Sequence, residues 1–253
     1  MMTLGRLKNR YRTGLSRSFY KRTLPLRSPI AIVSFTFDDF PRSALQAGGD
    51  ILGRHGFRGT FYASMGRMGD DTVVGKLFGP DDLAALASRG HELGCHTFGH
   101  VDSWKTPPEV FEGSILKNAG AVREIMPGFI FRTFSYPFCE PHPRLKKRAS
   151  RYFSCCRGGG QSANIGSADL NLINAFFLEK SRGDPAGLRR VVDQNREARG
   201  WLILATHDIS TDPSPFGCHP AFFEDVVKYV ADSGSAVLPV FEAYQALTAA
   251  GSP

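Results

Sequence analysis

The sequence predicts an α/β fold built on a parallel sheet or barrel. Predicted strands and helices alternate from residue 30 to the end of the chain, as they do in β/α units. The first strand, residues 30–37, is continuously hydrophobic, which is typical of a strand covered by helices on both faces. Acidic and histidine side chains also follow several predicted strands directly, at the edge where parallel α/β folds build their sites.

The predicted elements follow one another without an internal repeat or a second core. Strands are expected at residues 30–37, 59–63, 92–95, 129–135, 152–155, 201–206 and 236–239. Helices are expected at residues 43–54, 81–89, 108–126, 143–151, 184–199 and 222–233, and at the end of the chain. The segment 157–171 is rich in Gly, Ser and Asn and is expected to be a loop.

The net charge of +7 comes from the start of the chain. Residues 1–27 contain eight basic residues and no acidic one, so the rest of the chain, with 23 basic and 24 acidic residues, is almost neutral. We therefore divide the chain into a basic N-terminal extension, residues 1–27, and a main domain, residues 28–253. A nucleic-acid-binding protein is not expected, because the basic residues are confined to the extension and no recognition motif is present.

The extension has the pattern of an amphipathic helix. Apolar side chains recur at steps of three and four residues, at Leu4, Leu7, Tyr11, Leu15 and Phe19. Basic side chains occupy another face, at Arg6, Arg10, Arg17 and Lys21. Such a helix suits an anionic membrane surface or an acidic partner, but the same pattern fits a helix packed on its own domain or a mitochondrial transit peptide.

The sequence also bears on the compartment. No run of 18 apolar residues and no apolar secretory signal is present, so we expect a cytoplasmic protein, with peripheral contact to the inner membrane surface as an option. The five cysteines are odd in number and lack a CxxC spacing. This pattern does not indicate a disulfide framework, and free thiols are typical of a reducing compartment.

Five side chains after predicted strands form a chemically complete set. Asp38 and Asp39 follow the first strand, His96 and His100 are four residues apart, and His207 follows a late strand. Two imidazoles and one carboxylate can hold a divalent ion and leave positions open for water and substrate. A second carboxylate can take a proton from that water, and a further histidine can protonate a leaving nitrogen.

The same residues carry a family resemblance. The segment SFTFDD at residues 34–39 resembles the TFDD motif of the polysaccharide deacetylases, carbohydrate esterase family 4. HTFGH at residues 96–100 matches the HTxxH motif of that family, and LILATH at residues 202–207 is similar to its late histidine motif. The order and spacing agree from about Ile30 to Leu247, which is nearly the whole chain after the extension.

The resemblance implies a distorted (β/α)7-type barrel that removes N-acetyl groups from amino sugars of an oligosaccharide, polysaccharide or glycan precursor. It implies a divalent ion, usually Zn²⁺, with metal-bound water attacking the amide carbonyl. By motif position, Asp39, His96 and His100 would be the metal ligands. Asp38 would be the base and His207 the acid.

The sequence departs from the family pattern after the first motif and within the third. Phe40 stands where the family usually has glycine, and we expect its side chain to narrow the groove. The third motif commonly reads Arg-x-Pro-Tyr-Gly, but residues 135–139 read SYPFC. The backbone N–H of Phe138 would still stabilise the oxyanion, because this role needs no particular side chain.

The missing arginine normally pairs with the base. Arg157 is our hypothesis for its replacement, with Arg132 as second choice, and the alternative is that Arg157 only binds loop carbonyls or solvent. The carboxylate that orients the late histidine also has no clear match. Asp169 and Asp184 are both candidates.

Other functions stay open. The same superfamily resemblance includes amidohydrolases of cyclic ureides and deformylases of lipid-linked sugars, which would keep the metal site and change the substrate. A sugar-binding protein that has lost catalysis is a further alternative, although every residue of the catalytic set is present. The sequence does not fix the sugar or the oligomeric state.

Overall fold

The computed structural model describes residues 4–250, with side chains from Arg10 onward, and contains twelve strands and eight α-helices in this range. The strands are β1 (Thr23–Pro25), β2 (Ile32–Phe37), β3 (Thr60–Ala63), β4 (Asp71–Thr72), β5 (Gly75–Lys76), β6 (Glu92–Cys95), β7 (Thr133–Ser135), β8 (Cys155–Arg157), β9 (Ser167–Asp169), β10 (Phe176–Phe177), β11 (Trp201–Thr206) and β12 (Ala236–Val237). The helices are α1 (Leu4–Ser18), α2 (Asp50–Arg54), α3 (Pro80–Ser88), α4 (Pro108–Ile125), α5 (Pro143–Ala149), α6 (Pro185–Ala198), α7 (Pro220–Asp232) and α8 (Val240–Ala249). A π-helical turn, Ala44–Gly49, leads into α2.

A curved parallel sheet organises the molecule, in the spatial order β10–β11–β2–β3–β6–β7–β8. Strands β11 and β2 pair over their full length, from Trp201 opposite Ile32 to Thr206 opposite Phe37. Strand β12 pairs with the start of β2. The sheet is a half-barrel surrounded by helices, so the predicted (β/α)7-type architecture is confirmed.

The central strands are buried on both faces, as their continuous hydrophobicity predicts. All six residues of β2 and all six of β11 are buried. Phe35 and Phe37 pack against Phe223 of α7 on one face, whereas Ile32 and Trp201 belong to a cluster on the other. Each fully buried aromatic side chain stabilises the fold by about 2–3 kcal/mol, so this double burial fixes the positions of the strand ends.

The predicted elements are mostly present, but the short strands differ. The expected loop at residues 157–171 is wrong at both ends, because Arg157 ends β8 and Ser167–Asp169 forms β9. Strand β9 pairs antiparallel with β1, which was not predicted either. Strands of three residues carry too little periodicity to be recognised, and their hydrogen bonds depend on a distant partner.

The second half of α1 packs on the rest of the chain. The Ser16 hydroxyl donates a hydrogen bond to the carbonyl of Pro141. The buried ammonium of Lys146 donates to the carbonyls of Ser16 and Phe19, at 3.0 and 2.9 Å, and so satisfies the end of the helix. The predicted apolar positions Leu4 and Leu7 have side chains outside the described part. None of the helices between residues 4 and 250 has the length and apolar character that crossing a membrane requires.

Candidate active site

The five residues of the predicted set meet in one cavity. Asp38 and Asp39 follow the end of β2, His96 follows β6, and His207 follows β11. His100 lies in the loop after His96. Because the strands are parallel, their carboxyl ends lie along one edge of the sheet, and all five side chains line a cavity of about 600 Å³ there.

Three of these side chains form a group that fits a metal ion. Asp39 Oδ1 lies 3.8 Å from His96 Nε2 and 3.5 Å from His100 Nε2, and the three ligand atoms lie within 4.8 Å of one another. Asp39 Oδ1 is buried and accepts no hydrogen bond from the described residues, although Arg67 Nη1 lies 4.0 Å away. A buried carboxylate oxygen without a donor is costly. One carboxylate and two imidazoles are a donor set for zinc and similar divalent ions, so the residues present fit the implied metal.

The histidines are held in the form that binds metal. The carbonyl of Ser135 lies 2.7 Å from His96 Nδ1, so that nitrogen donates and the Nε2 lone pair faces Asp39. Burial lowers the pKa of His96 despite the nearby carboxylates. Burial and the neighbouring His96 lower the pKa of His100 to about 4. Both imidazoles are therefore neutral at neutral pH, as ligands must be.

Left-handed backbone positions cluster at the site. Asp39, Phe40 and His100 have φ angles of +60°, +51° and +52°, a region that favours glycine. The expectation that Phe40 narrows the groove is wrong. Its ring is fully buried and lies 4.9 Å from the ring of Phe78, because this backbone conformation turns the side chain into the core.

Asp38 is bound by a buried arginine. Arg157 is 1% exposed, and its Nη2 donates to Asp38 Oδ1 and, at 2.7 Å, to the Ser135 hydroxyl. The Ser135 hydroxyl in turn donates to Asp38 Oδ1 at 3.2 Å. Burial alone would raise the pKa of Asp38, but the charge of Arg157 and its hydrogen bond to the carboxylate outweigh burial and hold the pKa well below its usual range. Asp38 is therefore ionised.

The other candidate partners lie elsewhere. Arg132, the second choice for pairing with Asp38, has its guanidinium 5.7 Å from the ring centroid of Phe241. Asp169 accepts from Lys146 Nζ at 2.6 Å, and Asp184 caps α6 through a 2.8 Å bond from the N–H of Gly187. Neither carboxylate contacts His207.

His207 is positioned by a loop instead. Its Nδ1 lies 3.3 Å from the carbonyl of Phe216, which leaves Nε2 directed to the cavity. Asp208 is buried and holds this loop, since it accepts 2.8 Å and 2.5 Å bonds from the N–H and the hydroxyl of Ser214. Sequence reasoning missed this role of Asp208. Its place directly after the late histidine was the available signal.

Phe138 offers its backbone to the cavity. It adopts a φ angle of +62°, and its N–H makes no hydrogen bond with any described residue. Its ring is 61% exposed at the mouth, with its centroid 4.9 Å from that of His100. The ring of Phe216 is also exposed and lies 5.5 Å from His207. Two aromatic rings thus flank the polar centre, a surface on which the C–H face of a sugar can pack.

Comparison with known proteins agrees with this geometry. Residues 27–152 match the family model described as polysaccharide deacetylase. The match includes Asp38, Asp39, His96 and His100 and ends before Arg157 and His207.

Two solved structures show the same fold. A family 4 acetyl xylan esterase from Clostridium thermocellum, in complex with a cobalt ion, is 21% identical with a TM-score of 0.61, covering 88% of this chain and 93% of that chain. A CE4 family pseudoenzyme from Bacillus anthracis is 14% identical with a TM-score of 0.59, covering 86% of this chain and 66% of that chain.

A curated relative is much longer. A gellan lyase from a Bacillus species is 21% identical over an alignment of 197 residues, and the match covers 70% of this chain but only 7% of that protein. The chain therefore spans a small part of this relative.

Proposed function

Because this chain belongs to the polysaccharide deacetylase family, we propose that it hydrolyses the N-acetyl group of an amino sugar with a divalent ion held by Asp39, His96 and His100. Membership supports a hydrolase that acts on acetyl groups of a carbohydrate. One observation carries the finer proposal. The orphaned Asp39 Oδ1 lies between two neutral imidazoles, directly beside the arginine-paired Asp38.

The ion has a defined task in this proposal. When bound, the divalent ion, for which zinc is the expected element, would lower the pKa of a coordinated water and polarise the acetyl carbonyl. The chain supplies its three ligands, and the carbonyl of Ser135 fixes the orientation of His96.

The proton transfers belong to the chain's own side chains. Asp38 is ionised and accepts the proton of the attacking water, with Arg157 fixing its carboxylate. The N–H of Phe138 has no other partner in the described chain and donates to the oxygen of the former carbonyl as it becomes negative. His207 Nε2 then protonates the leaving nitrogen, which releases acetate and a free amine.

An N-acetyl substrate is favoured over an O-acetyl one by His207. An amine leaves only when it is protonated, and the imidazole of His207, which lines the same cavity as the base, would supply that proton. The exposed rings of Phe138 and Phe216 suit a pyranose ring at the mouth. We propose a carbohydrate as the partner and a cytoplasmic enzyme, since the five free thiols fit a reducing compartment.

The test is acetate release by the zinc-loaded protein from chitooligosaccharides. Acetylated xylan, an N-formylated sugar and a cyclic ureide are assayed separately as alternative substrates, each by its own hydrolysis product. Asp38→Asn is the matched control, because it keeps the three ligands and removes the base. Acetate from the chitooligosaccharide that Asp38→Asn abolishes supports the proposal. Hydrolysis of only one alternative, whether the acetyl ester of xylan, the formamide or the ureide, would assign that compound's class as the substrate instead. Bound metal and bound sugar without hydrolysis of any of them would indicate a sugar-binding protein.

A further inference from the structure

A second cavity opens from the catalytic cavity along α1. Its volume is about 530 Å³. The two cavities share wall residues, which are Phe138, Cys139, Phe177 and Lys180. Another wall is formed by Arg12 and Thr13 of α1, which lie outside the residues that match the family model. A substrate seated at the catalytic centre can therefore extend to the N-terminal helix.

The helix is held firmly enough to form a wall. Besides the bonds of Ser16 and Lys146, Arg17 donates 2.6 Å and 3.2 Å hydrogen bonds to Asn174 Oδ1 and the carbonyl of Gly159. A Cβ at Gly160 would lie 2.6 Å from Asn174 Oδ1 and 3.0 Å from Arg17 Nη2. Gly160 also adopts a φ angle of +142°, which favours glycine, so a side chain here would strain the loop that contacts Arg17 of α1.

Two of the basic side chains around the second cavity form no close ion pair with a described residue. Lys105 lies 3.7 Å from Asp102, and Arg17 lies 4.0 Å from Glu140, so these charges offset one another. Arg12 and Lys180 have no carboxylate within 4.0 Å among the described residues. Lys180 acts at longer range on Glu140 and Glu179, whose pKa values burial raises and the charge of this lysine lowers.

Aromatic rings position both of these cations. The guanidinium of Arg12 lies 4.9 Å from the ring centroid of Trp104, whose indole N–H donates to the carbonyl of Glu140 at 2.6 Å. The ammonium of Lys180 lies 5.1 Å from the ring of Phe177. Stacking on an aromatic face orients a cation and leaves its N–H donors available.

We propose that the second cavity is a subsite for an anionic group, a phosphate or a carboxylate, carried next to the acetylated sugar of the substrate. This inference rests on the proposed function, because it describes the substrate of the same site. Arg12 and Lys180 supply two positive charges, and a guanidinium binds phosphate or carboxylate oxygens through paired N–H donors. The partly enclosed cavity weakens screening by water, so these charges act more strongly than on an open surface.

Tryptophan fluorescence provides a binding assay that does not need catalysis. Trp104 lines the second cavity, whereas the other tryptophan, Trp201, is fully buried in the core. The probes are N-acetylglucosamine 1-phosphate, a disaccharide of N-acetylglucosamine and glucuronic acid, and uncharged N-acetylglucosamine. The variants are Arg12→Gln and Lys180→Gln. Arg54→Gln removes an exposed arginine that pairs with Glu224, and is the control.

The unsubstituted protein should bind at least one charged probe about 10-fold or more tightly than the uncharged sugar. The probe that binds more tightly shows whether the subsite prefers a phosphate or a carboxylate. Arg12→Gln and Lys180→Gln should each reduce that ratio several-fold, and the control should keep it. Equal binding of charged and uncharged probes, or a ratio that both variants preserve, would overturn the subsite. Charge-selective binding without acetate release would contradict the proposed function and leave the subsite standing. Acetate release without charge-selective binding would support the proposed function and overturn the subsite.

Discussion

Ser135 and Arg157 are register partners on the neighbouring strands β7 and β8, and Arg157 Nη2 donates a 2.7 Å hydrogen bond to the Ser135 hydroxyl. Both side chains also donate to Asp38. Residue 135 is the position where the family motif commonly has its arginine. The positive charge thus stands one strand further along the sheet, and the small serine leaves the space through which Arg157 reaches the carboxylate.

Arg157→Ala should impair both catalysis and stability. Asp38 would stay buried without its cation, so its pKa would rise and the acid limb of kcat/KM would move to higher pH. We expect turnover at neutral pH to fall about 10- to 100-fold. Removing one partner of a buried ion pair should also lower the free energy of unfolding by about 3 kcal/mol. A pH–rate profile and urea unfolding measure the two effects.

Two matched variants sharpen that experiment. Arg132→Ala removes an arginine that stacks on Phe241 and should leave the pH profile in place. The double substitution Ser135→Arg with Arg157→Ser restores the motif's usual order and should recover part of the lost activity. An Arg157→Ala protein with an unchanged pH profile would show that the arginine only braces the strand end.

His207→Ala should slow amides far more than activated esters. An amine must be protonated to leave, whereas 4-nitrophenolate leaves without a proton. We expect a loss of about 10²- to 10⁴-fold on an N-acetylated sugar and of less than about 10-fold on 4-nitrophenyl acetate. Metal content should be unchanged, because His207 is outside the ligand group. Equal losses on the two substrates would argue against a role as general acid.

His91 should make folding stability depend on pH. It is buried, its Nδ1 accepts the N–H of Gly59 at 3.0 Å, and burial together with Arg89 and Arg58 lowers its pKa to about 4. The folded state therefore keeps His91 neutral while the unfolded state binds a proton below about pH 6.5, so stability falls as the pH drops from 6.5 to 4. With partial access of water to the ring, the loss should be about 2 kcal/mol.

The check on His91 is urea unfolding of the natural protein and His91→Asn at several pH values. Asparagine keeps an acceptor for the N–H of Gly59 and removes the titrating group. The stability difference between the two proteins should shrink from pH 8 to pH 4. A difference that stays constant over this range would assign the acid sensitivity to other groups.

The expectation that the N-terminal extension contacts anionic membranes stays a prediction. Arg12, Ser16 and Arg17 face the rest of the chain, whereas Arg10, Tyr11 and Phe19 are exposed. The exposed face therefore offers aromatic and basic groups together, as an interfacial helix does. Tyr11→Ser with Phe19→Ser should reduce sedimentation with phosphatidylserine vesicles several-fold. Sedimentation that both substitutions leave unchanged, or that is absent in the natural protein, would remove this function from α1.

The sequence was sufficient for the parts of the site that lie next to long strands. Asp38 and His207 follow β2 and β11, whose continuous hydrophobicity is readable, and parallel topology then brings their ends together. The missing arginine of the motif makes Arg157 a candidate replacement, but its register with Ser135 follows only from the pairing of β7 with β8.

Other features depend on contacts that no local pattern encodes. The burial of the Phe40 ring follows from its left-handed backbone conformation and from the position of Phe78, on which the ring stacks. The loop that Asp208 holds positions His207 only through proximity in the folded chain, and the same is true of the hydrogen bond by which the Ser16 hydroxyl holds α1 to Pro141. Short strands such as β9 gain their hydrogen bonds only from a partner more than a hundred residues away.

The most direct test of the central claim is metal-dependent acetate release measured together with metal content in the same preparation. The account predicts about one equivalent of zinc or a similar divalent ion per chain, loss of acetate release on chelation, and recovery when the ion is returned. Asp39→Ala should lose both the ion and the activity. Acetate release that survives complete metal removal, or an Asp39→Ala protein that binds the ion as tightly as the natural one, would contradict it.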